Sequence, residues 1–269
     1  MDTEVVQSFP IAETFTSVQG EGMYAGTRMF FIRLAGCNVG QYDYDLYHQR
    51  GAKLENVVQS LDFLDEQLAI DKKHSICTSA TGQRFLCDTN YHKTETVSWS
   101  NLADRILQSG CWHINCTGGE PMLHDLSGFV EYFTDYAGPW DSSGPKWHIE
   151  TSGTKPVGEI ADWCHCITCS PKSGFLLENL RYIHQLKFVV SSEEDLLNVR
   201  NLLTEWRQLI DLHLRDIPIF ISPVAPVRLV PGEDSLYGYI NAAKELYNSP
   251  NWHPDWRLNL QQHKILGVR

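Results

Sequence analysis

The sequence predicts an α/β fold built on a largely parallel sheet. Two observations point there. Short apolar runs rich in β-branched and aromatic residues recur along the chain, and helical patterns separate most of them. Strand alternating with helix feeds parallel strands, in a sheet that is open or closed as a barrel. Ligands of such sheets bind at the carboxyl ends of the strands.

The strand-like runs are 29–34 (MFFIRL), 112–117 (WHINCT), 146–151 (KWHIET), 165–169 (HCITC), 185–190 (QLKFVV) and 217–222 (IPIFIS). Between them, 100–108 reads as a helix with Ser98 or Ser100 as its cap, and 125–136 and 234–247 are amphipathic. Residues 191–206 open with serines and early acids, which favour a helix N-terminus. The segment 38–76 interrupts this rhythm. Leu54, Val57, Val58, Leu61, Leu64 and Leu68 fall near helical spacing, so a helix is expected over 54–70, inside an insertion after the first of these strands.

Composition narrows the function. A chain of 269 residues suits one or two domains, and 42% apolar residues fill a sizeable core. A formal charge of −11 argues against a broad basic face for nucleic acid. No apolar run approaches ~18 residues, so no membrane span is expected. The N-terminal residues show no secretory pattern, which makes the cytoplasm the expected compartment. Eight cysteines are then thiols or metal ligands rather than a disulfide framework.

The polar residues collect at the strand ends. Cys37 follows the first strand, and TGGEP (117–121), TSGT (151–154), SPK (170–172) and SPVAP (222–226) follow later ones. Gly118 and Gly119 let a ligand approach the backbone, and Glu120 can accept from an ammonium group. Five such ends on one face predict a site for a small polar ligand.

In order along the chain, TFTSVQGEGMYAGTRMFFIRLAGCN, CDTN, TGGEP, ETSG, SPK and LKFVV resemble the 7-carboxy-7-deazaguanine synthase family of radical S-adenosylmethionine enzymes. The likeness spans nearly the whole chain. It implies one domain over 1–269 with a shortened, partly open (β/α)6 barrel, the 38–76 insertion in its cluster loop, and a homodimer. It implies ring contraction of 6-carboxy-5,6,7,8-tetrahydropterin to 7-carboxy-7-deazaguanine with release of ammonia, on the route to queuosine and other 7-deazaguanines. The implied cofactors are a [4Fe–4S] cluster, S-adenosylmethionine and Mg²⁺, with a reductant such as flavodoxin or ferredoxin as partner.

The resemblance also implies roles residue by residue. Gly119, Ser170, Lys172 and Ser222 surround S-adenosylmethionine, with Gly118, Glu120 and Ser152 nearby and Phe85 against the adenine. For Phe85 a place in a hairpin core is an equal expectation. Val18, Gln19, Gly20, Glu21, Arg33 and Thr117 meet the pterin. Gln19 and Glu21 suit the donors of a 2-aminopyrimidinone edge, and the planar Arg33 fork suits a carboxylate. Thr89 matches the Mg²⁺ ligand, with Asn90 where an acid is common. His263 and the terminal carboxylate of Arg269 are candidate substrate contacts. No general base is assigned.

The departure lies in the cysteines. Cys37 matches the first cluster ligand and Cys87 the last, but the position three before Cys87 is Arg84. Cys77, with nine residues between it and Cys87, is the nearest candidate for the middle ligand. A cluster needs three sulfurs together in space rather than in sequence, and a long loop closes at little more entropic cost than a short one. The expected set is Cys37, Cys77 and Cys87, with Cys116 as the substitute for Cys77. The other cysteines read as small buried hydrophobes. Two alternatives stay open: another radical enzyme that activates a partner protein, and a metal-stabilised binding or regulatory protein without catalysis.

Overall fold

The computed structural model describes residues 7–39, 76–87, 89, 91, 93–138, 144–209, 217–225 and 234–268. The expected helix over 54–70, Asn90 and Arg269 lie outside them, as does all of the 38–76 insertion except its ends.

Eleven strands form among the described residues: β1 (Ser8–Val18), β2 (Arg28–Leu34), β3 (Ile76–Thr78), β4 (Arg84–Leu86), β5 (Glu95–Ser98), β6 (His113–Gly118), β7 (Lys146–Thr151), β8 (Cys164–Cys169), β9 (Gln185–Val190), β10 (Ile219–Pro223) and β11 (Arg257–Leu258). Nine of them make one sheet in the order β11-β10-β9-β8-β7-β6-β2-β1-β5. From β2 to β11 all neighbours are parallel. The other end is antiparallel, where β1 pairs with both β2 and β5. The large parallel sheet matches the α/β expectation.

Three helices begin on a cap that the sequence carries. Helix α1 (Trp99–Ser109) is capped by the Ser98 hydroxyl, which accepts from the Asn101 amide, and it stops at Gly110 in the left-handed region. Asp125 caps α2 (Leu126–Ala137) through the Gly128 amide. Before α3 (Glu193–Leu209) the Ser192 hydroxyl accepts from the Asp195 amide, while the Asp195 carboxylate accepts from the Ser191 and Ser192 amides. This reciprocal cap satisfies otherwise orphaned donors. Helix α4 spans Asp234–Tyr247 and α5 spans Gln262–Ile265. The links β7–β8 and β8–β9 hold only 3-10 turns, Gly158–Asp162 and Leu177–Tyr182, so the strand–helix alternation is incomplete there.

Period-2 alternation sorts the sheet residues. Phe30, Ile32, Ile114, Trp147, Ile149, Ile167, Phe188 and Ile221 join one core with Leu102, Ile106, Phe129, Phe133, Val199 and Leu203 of the helices. The alternate positions of the same strands carry Arg33, Asn115, Thr117, His148, Glu150, Thr168, Gln185, Lys187 and Ser222. The face of the sheet opposite this core therefore carries most of the polar strand residues. Among the described residues no helix is long and apolar enough to cross a membrane.

Candidate functional site

One cleft opens at the carboxyl ends of the parallel strands. It is lined by Val18, Gln19, Gly20, Glu21, Arg33, Thr117 and His263, by Phe85, Gly118, Gly119, Ser152, Ser170, Lys172 and Ser222, and by Cys37, Cys77, Cys87 and Thr89. These are all the expected site residues but two. Arg269 is outside the described residues, and Glu120 lies beneath the wall.

Glu120 is fully buried. One carboxylate oxygen accepts from the Met122 amide and the Thr151 hydroxyl, the other from the Ser152 amide and hydroxyl. The expected acceptor for an ammonium is thus already filled by protein donors, and it holds the turns after β6 and β7 together. Ser152 remains on the cleft wall, where its hydroxyl also meets the Thr154 hydroxyl.

At one end of the cleft stands a network centred on Glu150, a residue the sequence reading passed over. Its Oε1 accepts from Gln19 Nε2 and Asn115 Nδ2, each at 2.8 Å, and its Oε2 accepts from the Thr117 hydroxyl at 3.2 Å. Burial alone would raise the Glu150 pKa, but the Lys187 ammonium and these three donors outweigh it and hold the group below its ordinary value. Lys187 in turn pairs with Glu21 at 2.8 Å, both side chains largely buried. Asn259 donates to Glu21 Oε1 and to the Ser222 hydroxyl, and accepts from the Gly22 amide. Glu150 and Lys187 are each a charge within a strand, but β7 also carries Lys146 and His148, so the sequence alone does not single out Glu150.

The turn that carries Gln19 and Glu21 is fitted closely. A Cβ on Gly20 would lie 1.9 Å from His263 Nδ1, so the imidazole of α5 packs on the turn itself. The Gln262 amide donates to the Gly20 carbonyl. Arg33 lines the cleft while its Nε lies 2.9 Å from Glu13 Oε1, its cross-strand partner, and its guanidinium covers the Phe15 ring. Phe15 stacks on Phe31 at 5.1 Å.

The thiols line the same cleft. Gly118 has φ +120, and a Cβ there would lie 2.3 Å from the Leu34 carbonyl. A Cβ on Gly119 would lie 1.8 Å from the Gly36 carbonyl and 3.0 Å from the Cys37 Cβ. These two glycines let the Cys37 loop rest on the end of β6. Cys77 comes from the β3–β4 hairpin, directly opposite Phe85, and Cys87 follows that hairpin. The hairpin is stitched to the SPK loop: Ala80 donates to the Pro171 carbonyl and Ser173 to that of Thr78. Lys172 donates to the Ser170 carbonyl and lies 5.2 Å from the centre of the Phe85 ring. Phe85 is at once a buried hairpin residue and part of the cleft wall. Burial lowers the Lys172 pKa and Lys187 lowers it further, while the thiols of Cys77, Cys169 and Cys87 act to raise it.

Among the described residues, no three His, Cys, Asp or Glu side chains are close enough to grip a single metal ion. Cys37, Cys77 and Cys87 instead all line the cleft, Cys37 from the loop after β2 and the other two from the β3–β4 hairpin and its exit. A four-iron cluster is wider than one ion and takes thiolates at its corners, so the donor chemistry and the glycine cradle fit it. Cys116 does not line the cleft. It belongs to the core, where burial pushes its thiol up to about 12. It is therefore a poor substitute for Cys77.

Fold and site together define an α/β protein with a cleft of polar side chains and thiols at the strand ends. No protein-family model matches the chain. Curated relatives do. The 7-carboxy-7-deazaguanine synthase of Prochlorococcus marinus is 31% identical over 265 residues, covering 96% of this chain and 97% of its own. That of Synechocystis sp. is 29% identical, covering 97% and 94%. The chain belongs to the 7-carboxy-7-deazaguanine synthase family. A crystal structure of QueE from Escherichia coli, 22% identical, matches the fold with a TM-score of 0.53 over 95% of both chains.

Proposed function

We propose that this protein is a radical S-adenosylmethionine lyase that contracts 6-carboxy-5,6,7,8-tetrahydropterin to 7-carboxy-7-deazaguanine and releases ammonia, in 7-deazaguanine and queuosine biosynthesis. The observation that carries this reading is one cleft lined by the QGEG turn, Arg33, three separated cysteines, the glycine pair and the SPK loop. Family membership supports the same activity.

Cys37, Cys77 and Cys87 would hold the [4Fe–4S] cluster. When bound, the cluster and S-adenosylmethionine supply hydrogen-atom abstraction and return. Gly118, Gly119, Ser152, Ser170, Lys172 and Ser222 form the cofactor wall, and Phe85 offers a flat apolar face for adenine. Gln19, Glu21, Thr117 and His263 read the pterin edge, with Val18 and Gly20 shaping the turn. Glu150 stays ionised and fixes Gln19 and Thr117 by accepting from both, which pre-orients them. Arg33 can exchange or share Glu13 with a substrate carboxylate. Thr89 would give Mg²⁺ one protein oxygen, the remainder coming from substrate and water.

The finer architecture proposed is a partly open (β/α)6 barrel within a homodimer, reduced by a flavodoxin or ferredoxin in the cytoplasm. The test is anaerobic reconstitution with iron and sulfide, followed by turnover with carboxytetrahydropterin, S-adenosylmethionine and reductant. Formation of 7-carboxy-7-deazaguanine without net loss of S-adenosylmethionine is expected. A protein that cleaves the sulfonium but never consumes the pterin refutes the substrate assignment.

A further inference from the structure

Beneath the substrate turn, on the polar face of the sheet, lies a cluster that the proposed chemistry does not use. His113, His148 and His165 come from β6, β7 and β8. His113 Nδ1 lies 2.8 Å from His148 Nε2. The His165 ring centroid is 5.8 Å from that of His148 and 6.3 Å from that of His113. Tyr24, at the end of the 3-10 turn Gly22–Tyr24, sits on all three. Its ring meets His148 edge-on at 4.7 Å and lies 5.6 Å from His165 and 5.8 Å from His113.

This placement ties one short loop to one strand twice. Gln19 donates to Glu150, and Tyr24 rests on His148, two residues earlier on β7. Between these ties the Gly22 and Met23 amides donate to Asn259 Oδ1 and Gln185 Oε1, both at 2.8 Å. Releasing Tyr24 would leave the carboxyl side of the turn held by those two bonds and by backbone bonds alone: Gly26 to Gln19, Gln19 to Thr27, Ala25 to Gly22 and Thr27 to Tyr24.

The surroundings favour neutral imidazoles. His148 is buried, and burial with His113 and His165 beside it pushes its pKa down to about 3, against a smaller opposing pull from Glu150. Burial also lowers His113 and His165, and Lys146 at the start of β7 lowers both further. From β8 the Cys166 thiol faces the Tyr24 phenol, and His184, before β9, lies within electrostatic reach of His165. Groups kept neutral in the fold contribute stability fully above their unfolded value of about 6.5, and lose it as the pH falls below.

We propose that Tyr24 is a positioning residue which, seated on His113, His148 and His165, locks the Gln19–Glu21 turn, and that the seat loosens when the imidazoles take up protons. The functional half rests on the reading of that turn as substrate-binding. Substrate affinity then falls on the acid side through the turn rather than through the reacting groups.

The test is amide hydrogen exchange of the full-length protein without ligands, read at Gly22 and Met23 and corrected for intrinsic rates. Tyr24→Ala is expected to speed exchange about tenfold, the size of the lost ring contacts, and Tyr24→Phe to leave it unchanged. The wild type is expected to lose protection at these two amides as the pH falls below about 6.5 toward the folded His148 value of about 3, with α1 amides as an internal reference. His148→Phe, which keeps a ring and cannot titrate, should shrink that loss to the part that His113 and His165 carry. Unchanged exchange in Tyr24→Ala, or no acid loss in the wild type confined to the turn, overturns the proposal. The wild-type series decides it even where a variant does not fold. In turnover, Tyr24→Ala should raise KM for carboxytetrahydropterin about tenfold with kcat within about twofold. A wild type that never turns the pterin over refutes the substrate reading alone, because the exchange experiment still tests the seat.

Discussion

Replacing Gly119 with alanine tests how closely the Cys37 loop must lie on the strand ends. The added Cβ would stand 1.8 Å from the Gly36 carbonyl oxygen and 2.5 Å from its carbon. Contacts of that kind stay beyond 3.0 Å, so the two backbones must part by about 1.2 Å. The obstacle is main chain and cannot rotate away. It is also pinned on both sides, since Gly119 donates to the Leu34 carbonyl and Glu120 to that of Gly36. The displacement therefore falls on Gly36 and Cys37. Overpacking of this kind costs about 1–3 kcal/mol of stability. A shift of about 1 Å in a positioned group costs on the order of a hundredfold in rate. The assay is iron per chain, visible absorption and turnover of anaerobically reconstituted protein. Gly110→Ala is the control, because that glycine has φ +62 but nothing within 4 Å of its added Cβ. It should lose about 1–2 kcal/mol of stability and keep its turnover. A Gly119→Ala protein with wild-type iron content and wild-type turnover refutes the reasoning.

Cys77→Ala should abolish the brown chromophore of the reconstituted protein, while Cys116→Ala should keep it and lose about 1 kcal/mol of stability in urea. Glu120→Gln turns an amide against donors that all need an acceptor, and should destabilise the fold by about 1–3 kcal/mol in the same titration. Glu150→Gln should raise KM for the pterin more than it lowers kcat, in steady-state kinetics. It should also flatten the acid limb of a stability-against-pH curve. The Glu150 pKa is lowered in the fold, so its contribution is full above the ordinary carboxylate value of about 4.3 and is lost as pH falls toward the folded value.

The parallel strands were legible because their outward residues form one apolar alternation that helices must cover, and the helix starts because Ser98 and Ser192 cap them. The antiparallel end was not. In β1, Pro10 and a register shift between Ile11 and Glu13 break the period on which a strand is recognised. Glu150 and Lys187 were hidden for a different reason. A charge in a strand has the same appearance whether it faces solvent or a cleft, and only its partners distinguish the two. Glu120 shows the converse: its sequence context suggests a ligand contact, yet its four donors all come from the protein.

The cysteine spacing is the clearest case of sequence distance misrepresenting distance in space. Nine residues separate Cys77 from Cys87, where the superfamily pattern has two. In the hairpin Cys77 faces Phe85, and Cys87 lies two residues further along the same strand direction. Strand β4 ends at Leu86, so Cys87 leaves the hairpin one residue beyond it, and both thiols line the cleft. A hairpin thus restores by cross-strand register what the loop motif achieves by short spacing. The length of chain between Cys37 and Cys77 becomes immaterial, since Cys37 is held by Gly119 and the end of β6, and the hairpin by the SPK loop.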